Sequence, residues 1–194
     1  MLRLAVLISG SGSDLQSIID HRDHINGEIA LVVSNRKTAG GLQRAEKAGI
    51  KNLVIKDQNE LLNTLKEEKI DFIVLAGYLA ILGKELIEAY PNKIINIHPS
   101  LVPSFCGPGM YGMHVHEAVL KRGVKVSGAT IHFVSEEVDG GPIIWQEAVS
   151  IADLETAEDI QKRVLEIEHK ILPKVVELYC DNKIIVEKGT VKIL

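Results

Sequence analysis

The stretch Leu4-Ala5-Val6-Leu7-Ile8-Ser9-Gly10-Ser11-Gly12-Ser13-Asp14-Leu15-Gln16 decides the fold class of this 194-residue chain. Five consecutive apolar residues read as a strand buried on both faces. The Ser-Gly repeat after it permits a tight turn, and Ser13 or Asp14 is placed to cap a helix that opens there. A buried strand that turns through glycine into a helix begins a βαβ unit, and such units build parallel sheets.

The alternation continues outward from this point. Strands are predicted at Leu4 to Ile8, Ile29 to Val33, Leu53 to Ile55, Phe72 to Leu75 and Lys93 to Ile97. Helices are predicted near Asp14 to Asp20, Gly41 to Ala48, Gln58 to Glu67 and Lys84 to Ala89. A loop rich in proline and glycine follows from Pro99 to Gly112, and a loop of that length inside a compact domain is commonly functional. After a helix around His116 to Lys121, the runs Gly128 to Val134 and Pro142 to Val149 read as an antiparallel hairpin at the sheet edge. Glu155 to Tyr179 has helical spacing interrupted by Pro173, and Lys183 to Ile193 reads as a last hairpin around Lys188-Gly189. The expected fold is α/β: a mostly parallel central sheet flanked by helices, with an antiparallel edge hairpin, in a single domain over residues 1–194.

Composition excludes several classes of function. With 46% hydrophobic residues the chain buries one sizeable core, and 22 Lys and Arg against 26 Asp and Glu leave no cationic footprint for nucleic acid. The apolar N-terminal run is too short to span a membrane. Cys106 and Cys180 have neither metal nor disulfide spacing and suit a reducing compartment, so the expected location is cytoplasmic.

Glycine-rich turns that open helices bind anions, because backbone N–H groups and the helix dipole point at the same spot. A phosphate fits the loop from Ser9 to Asp14 on that ground, although a simple strand-to-helix turn explains it equally well when taken alone. As a dinucleotide signature it is incomplete: Leu15 stands where the third glycine of GxGxxG belongs, and Ser34-Asn35-Arg36 offers no ribose-binding acid.

The second chemical signal is Asn96-Ile97-His98-Pro99-Ser100. Alternate residues of a strand share a face, so Asn96 and His98 project together at a strand end, an amide donor beside an imidazole. That pair suits a developing oxyanion, and Asp139, in the turn-forming Val138-Asp139-Gly140-Gly141-Pro142, is able to orient His98 and keep it charged. Asn96, His98 and Asp139 also have ordinary explanations as loop-pinning or turn residues, and it is their occurrence together with the anion loop that points to acyl-type transfer. His114 and His116 form an H-x-H, but nothing resembles HExxH and no metal is expected. His132, beside Phe133 in a strand pattern, reads as a packed or hydrogen-bonded core residue.

Over essentially its whole length the chain resembles the small, folate-dependent phosphoribosylglycinamide formyltransferases of purine biosynthesis. The motifs that carry the resemblance are Val6-Leu7-Ile8-Ser9-Gly10-Ser11-Gly12-Ser13, Leu75-Ala76-Gly77-Tyr78, Asn96-Ile97-His98-Pro99-Ser100-Leu101-Val102-Pro103, and His132-Phe133-Val134 through Asp139-Gly140-Gly141-Pro142. The resemblance implies a Rossmann-like formyltransferase fold that moves the formyl group of 10-formyltetrahydrofolate, a co-substrate, onto the amine of glycinamide ribonucleotide without a metal. It implies a phosphate-binding half up to about residue 100 and a folate-binding and catalytic remainder.

Residue by residue, the resemblance implies substrate phosphate on the backbone of Gly12, Ser13 and Asp14. It implies the amine end of the substrate near Glu168, with Leu165, Glu166 and Ile167 along that wall and Pro99 beside the catalytic residues. The folate ring is implied against Leu79, Ala80, Ile81 and Leu82 and against Ser135, Glu136, Glu137 and Val138, with contributions from Asn96 and Asp139. Asn96, His98 and Asp139 match the catalytic trio. Three positions depart from the pattern: Ala80 stands where many relatives have arginine, the Gln58-Asn59 region lacks a basic residue, and Asp14 replaces a more usual asparagine. A phosphosugar-binding module without catalysis would keep the Gly12 loop but would not need the trio, and an NADPH reductase is disfavoured by Leu15.

Overall fold

The computed structural model describes all 194 residues. Nine strands and six helices follow in order: β1 Leu2–Ile8, α1 Ser13–His21, β2 Gly27–Ser34, α2 Gly40–Lys47, β3 Asn52–Val54, α3 Gln58–Glu67, β4 Phe72–Leu75, α4 Lys84–Ala89, β5 Ile94–His98, α5 Met113–Arg122, β6 Val126–Phe133, β7 Ile143–Ser150, α6 Ala157–Cys180, β8 Ile184–Glu187 and β9 Thr190–Ile193. A 3₁₀ turn, Arg22–His24, follows α1.

Seven strands form one sheet in the order β3-β2-β1-β4-β5-β6-β7. The first five are parallel, and β6 and β7 run antiparallel as the edge hairpin. The last two strands form a separate antiparallel pair. The parallel part reads as continuous apolar sequence because both of its faces are covered. In β1, Leu4, Val6 and Ile8 point into one core layer and Ala5 and Leu7 into the other. The first layer is closed by Leu15 and Ile18 of α1, Val115 and Val119 of α5, and Val164, Leu172, Val175 and Val176 of α6. The second is closed by Leu61 and Leu65 of α3 and Leu86 of α4.

Three local expectations need correction. Gly12, at φ 74°, is the N-cap of α1, and no side chain caps that helix; the left-handed turn leaves Ser13 and Asp14 already inside the first turn. α5 begins at Met113, three residues before His116. α6 runs through Pro173 without a break. An internal proline costs about 3 kcal/mol, whereas each large apolar side chain that α6 buries contributes about 1.5–3 kcal/mol, so packing wins.

β1 pairs with β2 on one side and β4 on the other, so the strand order reverses between β1 and β4. Such a switch point opens a crevice beyond the carboxyl ends of the strands. The glycine loop after β1, the turn after β4 and the long loop after β5 all emerge at that end.

Candidate active site

The loop after β1 is shaped by close backbone approach. A Cβ on Gly12 would run into Cα of Gly41 at the start of α2, so glycine is required there both for its positive φ and for helix contact. Gly10 has open space around it. Arg44 of α2 donates through Nε to Ser11 O at 2.9 Å, which braces the loop from outside.

The turn after β4 is tied to the same place. Ser9 Oγ accepts from the Leu79 amide at 2.9 Å and donates to Asn35 Oδ1 at 2.7 Å. Leu79 is 40% exposed and Ile81 74%, while Leu82 is buried. The 135–138 loop reaches the start of α4, which follows the turn, through the 3.3 Å ion pair of Glu136 with Lys84. Leu79 and Ile81 of the turn thus leave apolar side chains uncovered at this end of the sheet.

Asn96 and His98 lie at the carboxyl end of β5, where antiparallel pairing sets Asn96 opposite His132 and His98 opposite Thr130. Asn96 Nδ2 stands 3.2 Å from His132 Nε2, and His132 Nδ1 stands 2.9 Å from the carbonyl of Phe133. Asp139, at φ 56°, occupies the left-handed region that Asp tolerates. Its carboxylate reaches both imidazoles, Oδ2 at 3.5 Å from His98 Nδ1 and Oδ1 at 3.5 Å from His132 Nε2. A Cβ on Gly141 would collide with the carbonyl of Phe133, so a glycine at the neck of this loop lets Asp139 close over β6.

The long loop locks onto these residues. His98 Nε2 donates to the carbonyl of Phe105 at 2.9 Å, and the Gly107 amide donates to Asp139 Oδ2 at 2.9 Å. Ser100 Oγ donates to Ser104 O at 2.6 Å, and Thr130 Oγ1 donates to Ser100 O at 2.6 Å while accepting from the Val102 amide at 3.0 Å.

Burial pushes His98 below the usual imidazole range, against the Phe105 carbonyl and Asp139, which favour its charged form. Burial opposes ionisation of Asp139 too, but contacts from His132, the Gly107 amide and His98 outweigh it and hold the carboxyl low. Asp139 is thus an anion between two rings. His116, on α5 and 2% exposed, is pushed down to about 4 by burial and by His98.

The sequence-predicted residues do not all converge. Glu168 is buried against Asp14, whereas Glu166 faces solvent on the far side of α6, with Leu165 and Ile167 half-buried between. Pro99 is half-buried beside His98. His132 is indeed packed and hydrogen-bonded, as its strand context predicts, but it also touches Asn96 and Asp139 and so belongs to the site. Only the β5–β6 register reveals that, and register is not readable from a single strand's pattern. No group of three or more His, Cys, Asp or Glu side chains is arranged to hold a metal, and no helix is long and apolar enough to cross a membrane.

The family model described as "Formyl transferase" matches residues 2–176. The chain is 42% identical to the chloroplastic phosphoribosylglycinamide formyltransferase of Arabidopsis thaliana over 94% of its own length, and spans 66% of that protein. It is 37% identical to the phosphoribosylglycinamide formyltransferase of Haemophilus influenzae, covering 95% of this chain and 90% of that one. Among solved structures, glycinamide ribonucleotide transformylase 1 from Symbiobacterium toebii superposes with a TM-score of 0.93 at 39% identity, over 100% of this chain and 94% of that one. With this sheet order, this cluster at the strand ends and a family model matched from residue 2 to residue 176, the chain belongs to the formyl transferase family.

Proposed function

We propose that the chain transfers the formyl group of 10-formyltetrahydrofolate to the amine of glycinamide ribonucleotide. The observation that carries this reading is a convergence at one end of one sheet: the Gly12 loop, the Asn96–His98–Asp139–His132 cluster, and the apolar wall of Leu79 and Ile81. An anion subsite, an acyl-transfer centre and an apolar ring wall side by side suit a phosphorylated amine and a flat acyl donor. The names of the relatives support the same acceptor.

In this reading the amides of Gly12, Ser13 and Asp14 take the phosphate, and Glu168, flanked by Leu165 and Ile167, faces the rest of the ribonucleotide. Leu79 to Leu82 and Ser135 to Val138 hold the folate ring, chiefly through backbone groups. The folate supplies an acyl carbon with N10 as its leaving nitrogen.

The nucleophile is the acceptor's own amine, so the chain supplies alignment and charge stabilisation, and Cys106 takes no part in bond making. Asn96 gives one amide hydrogen to His132 and keeps the other for the carbonyl oxygen as it becomes negative. His98 commits Nε2 to the Phe105 carbonyl, so Nδ1 is the nitrogen that exchanges protons at the reacting centre. As negative charge grows on the oxygen, it joins Asp139 in drawing a proton onto Nδ1 and offsets the effect of burial. The amine adds to the formyl carbon first and its electron pair pushes charge onto the oxygen; collapse of that tetrahedral adduct restores the carbonyl and breaks the bond to N10. The amine gives up one proton and N10 receives one, with His98 and Asp139 carrying the exchange.

Mass detection of formylglycinamide ribonucleotide after incubation with both substrates tests the reading. Formation of that product by the wild type, and its near loss in Asn96→Ala, is expected. Free formate in its place would assign a hydrolase.

A further inference from the structure

Asp14 lies in the first turn of α1, on the loop read above as the phosphate site, where an ionised carboxylate repels a dianion. The structure resolves this conflict. Asp14 is 8% exposed and packs against Glu168 of α6, itself 7% exposed, with the two carboxyls in hydrogen-bonding reach. Asp14 Oδ1 is buried and has no hydrogen-bond partner. The other group that faces the pair is His169 of α6, whose Nε2 is 3.6 Å from Asp14 Oδ1; Arg44 of α2, bonded to Gln16 and close to His169, lines the groove outside together with Lys170 and His21.

Two carboxyls in so little water do not both ionise. Burial pushes Asp14 up to about 6. Burial and the neighbouring Asp14 push Glu168 well above the usual carboxylate range.

We propose that Asp14 and Glu168 share one proton and that the pair takes up a further fraction of a proton when a phosphate dianion docks on the Gly12–Asp14 amides, so that Asp14 links substrate affinity to pH. The inference rests on the phosphate reading of the loop. The sign follows from charge: a dianion at the end of α1 raises the proton affinity of Asp14, and by linkage phosphate binding weakens as pH rises. The second ionisation of a phosphate monoester, at about pH 6, acts in the opposite sense, so the effect is read above pH 7. An asparagine in place of Asp14 has no proton to exchange.

The test is isothermal titration calorimetry of the full chain with glycinamide ribonucleotide at about pH 7.5, in two buffers of different ionisation enthalpy. The wild type is expected to take up a fraction of a proton on binding, and its Kd to rise several-fold between about pH 7 and pH 8.5, within the limit of about tenfold per pH unit for one whole proton. The substrate's own amine, which titrates at about pH 8, adds the same background to every variant. Asp14→Asn, which keeps the backbone amide, is expected to take up less than the wild type and to show a flatter profile, down to that background, and His169→Gln to keep the wild-type uptake. Wild-type uptake retained in Asp14→Asn and lost in His169→Gln would assign the linkage to the imidazole and overturn the proposal. A flat wild-type profile would overturn it too, without recourse to any variant. If glycinamide ribonucleotide fails to bind at every pH, the phosphate reading falls and the inference falls with it.

Discussion

Asn96 and His132 are direct partners on the β5–β6 ladder, with Nδ2 of one 3.2 Å from Nε2 of the other. His132 Nδ1 donates to the Phe133 carbonyl, so in the neutral ring Nε2 accepts from the Asn96 amide and holds its nitrogen inward, whereas a charged ring would turn Nε2 toward Asp139 as a donor. A residue that reads as core in sequence therefore fixes which atom of Asn96 would face the reacting oxygen in the proposed transfer.

Loss of that partner frees the amide to rotate. His132→Ala is expected to lower kcat on the order of 10²-fold, the scale of a misplaced catalytic group, with little change in KM for glycinamide ribonucleotide. His132→Gln, whose amide oxygen also accepts, recovers part of the loss. Steady-state kinetics decides the point, and an unchanged kcat in His132→Ala would remove His132 from the site.

Asp139 raises the proton affinity of His98 by Coulomb attraction, against the burial that lowers it. Asp139→Asn removes that attraction, so the His98 pKa falls and the alkaline limb of the kcat profile moves to lower pH. Because the acid works mainly through the imidazole, the double variant with His98→Ala is expected to be little worse than His98→Ala alone. Additive losses would show that Asp139 acts independently.

The two loop glycines differ. Gly12→Ala forces a side chain into a left-handed turn and against Gly41, so it is expected to lower unfolding free energy by more than about 1 kcal/mol; Gly10→Ala, with open space, is expected to leave stability nearly unchanged. Urea midpoints compare them directly, and equal costs would mean that the α1–α2 approach does not depend on Gly12.

The Asp14–Glu168 pair has a second signature, in folding. Both carboxyls are raised in the folded state, Asp14 from 3.8 to about 6, so the native chain binds more protons than the unfolded chain in that window. Their contribution is present below the unfolded value and is lost as pH rises through the folded one. Asp14→Asn is expected to flatten this part of the profile in urea unfolding at several pH values between about 4 and 7. An identical wild-type slope would show that the pair is not strained by burial.

Much of the fold is legible in the sequence because five parallel strands, covered on both faces, leave uninterrupted apolar runs such as Leu4 to Ile8 and Phe72 to Leu75. Asn96 and His98 are legible as a pair because a strand fixes their common face. Other features depend on contacts between distant segments. Pro173 reads as a break, yet the buried face of α6 carries the helix through it. Ser13 and Asp14 read as caps, but the left-handed Gly12 takes that position and Asp14 turns inward to Glu168, 154 residues away in the chain. His132 joins the site only through the β5–β6 register, and Glu166, adjacent in sequence to the proposed substrate wall, points away from it because a helix turns too far in two residues.

In the proposed reaction the acceptor's amine attacks the formyl carbon directly. Release of tetrahydrofolate from 10-formyltetrahydrofolate, followed with and without glycinamide ribonucleotide under otherwise equal conditions, distinguishes this attack from hydrolysis. Release is expected to require the ribonucleotide and to appear mole for mole with its formylated product. Comparable release in its absence would make water the acceptor and rule out direct attack by the amine.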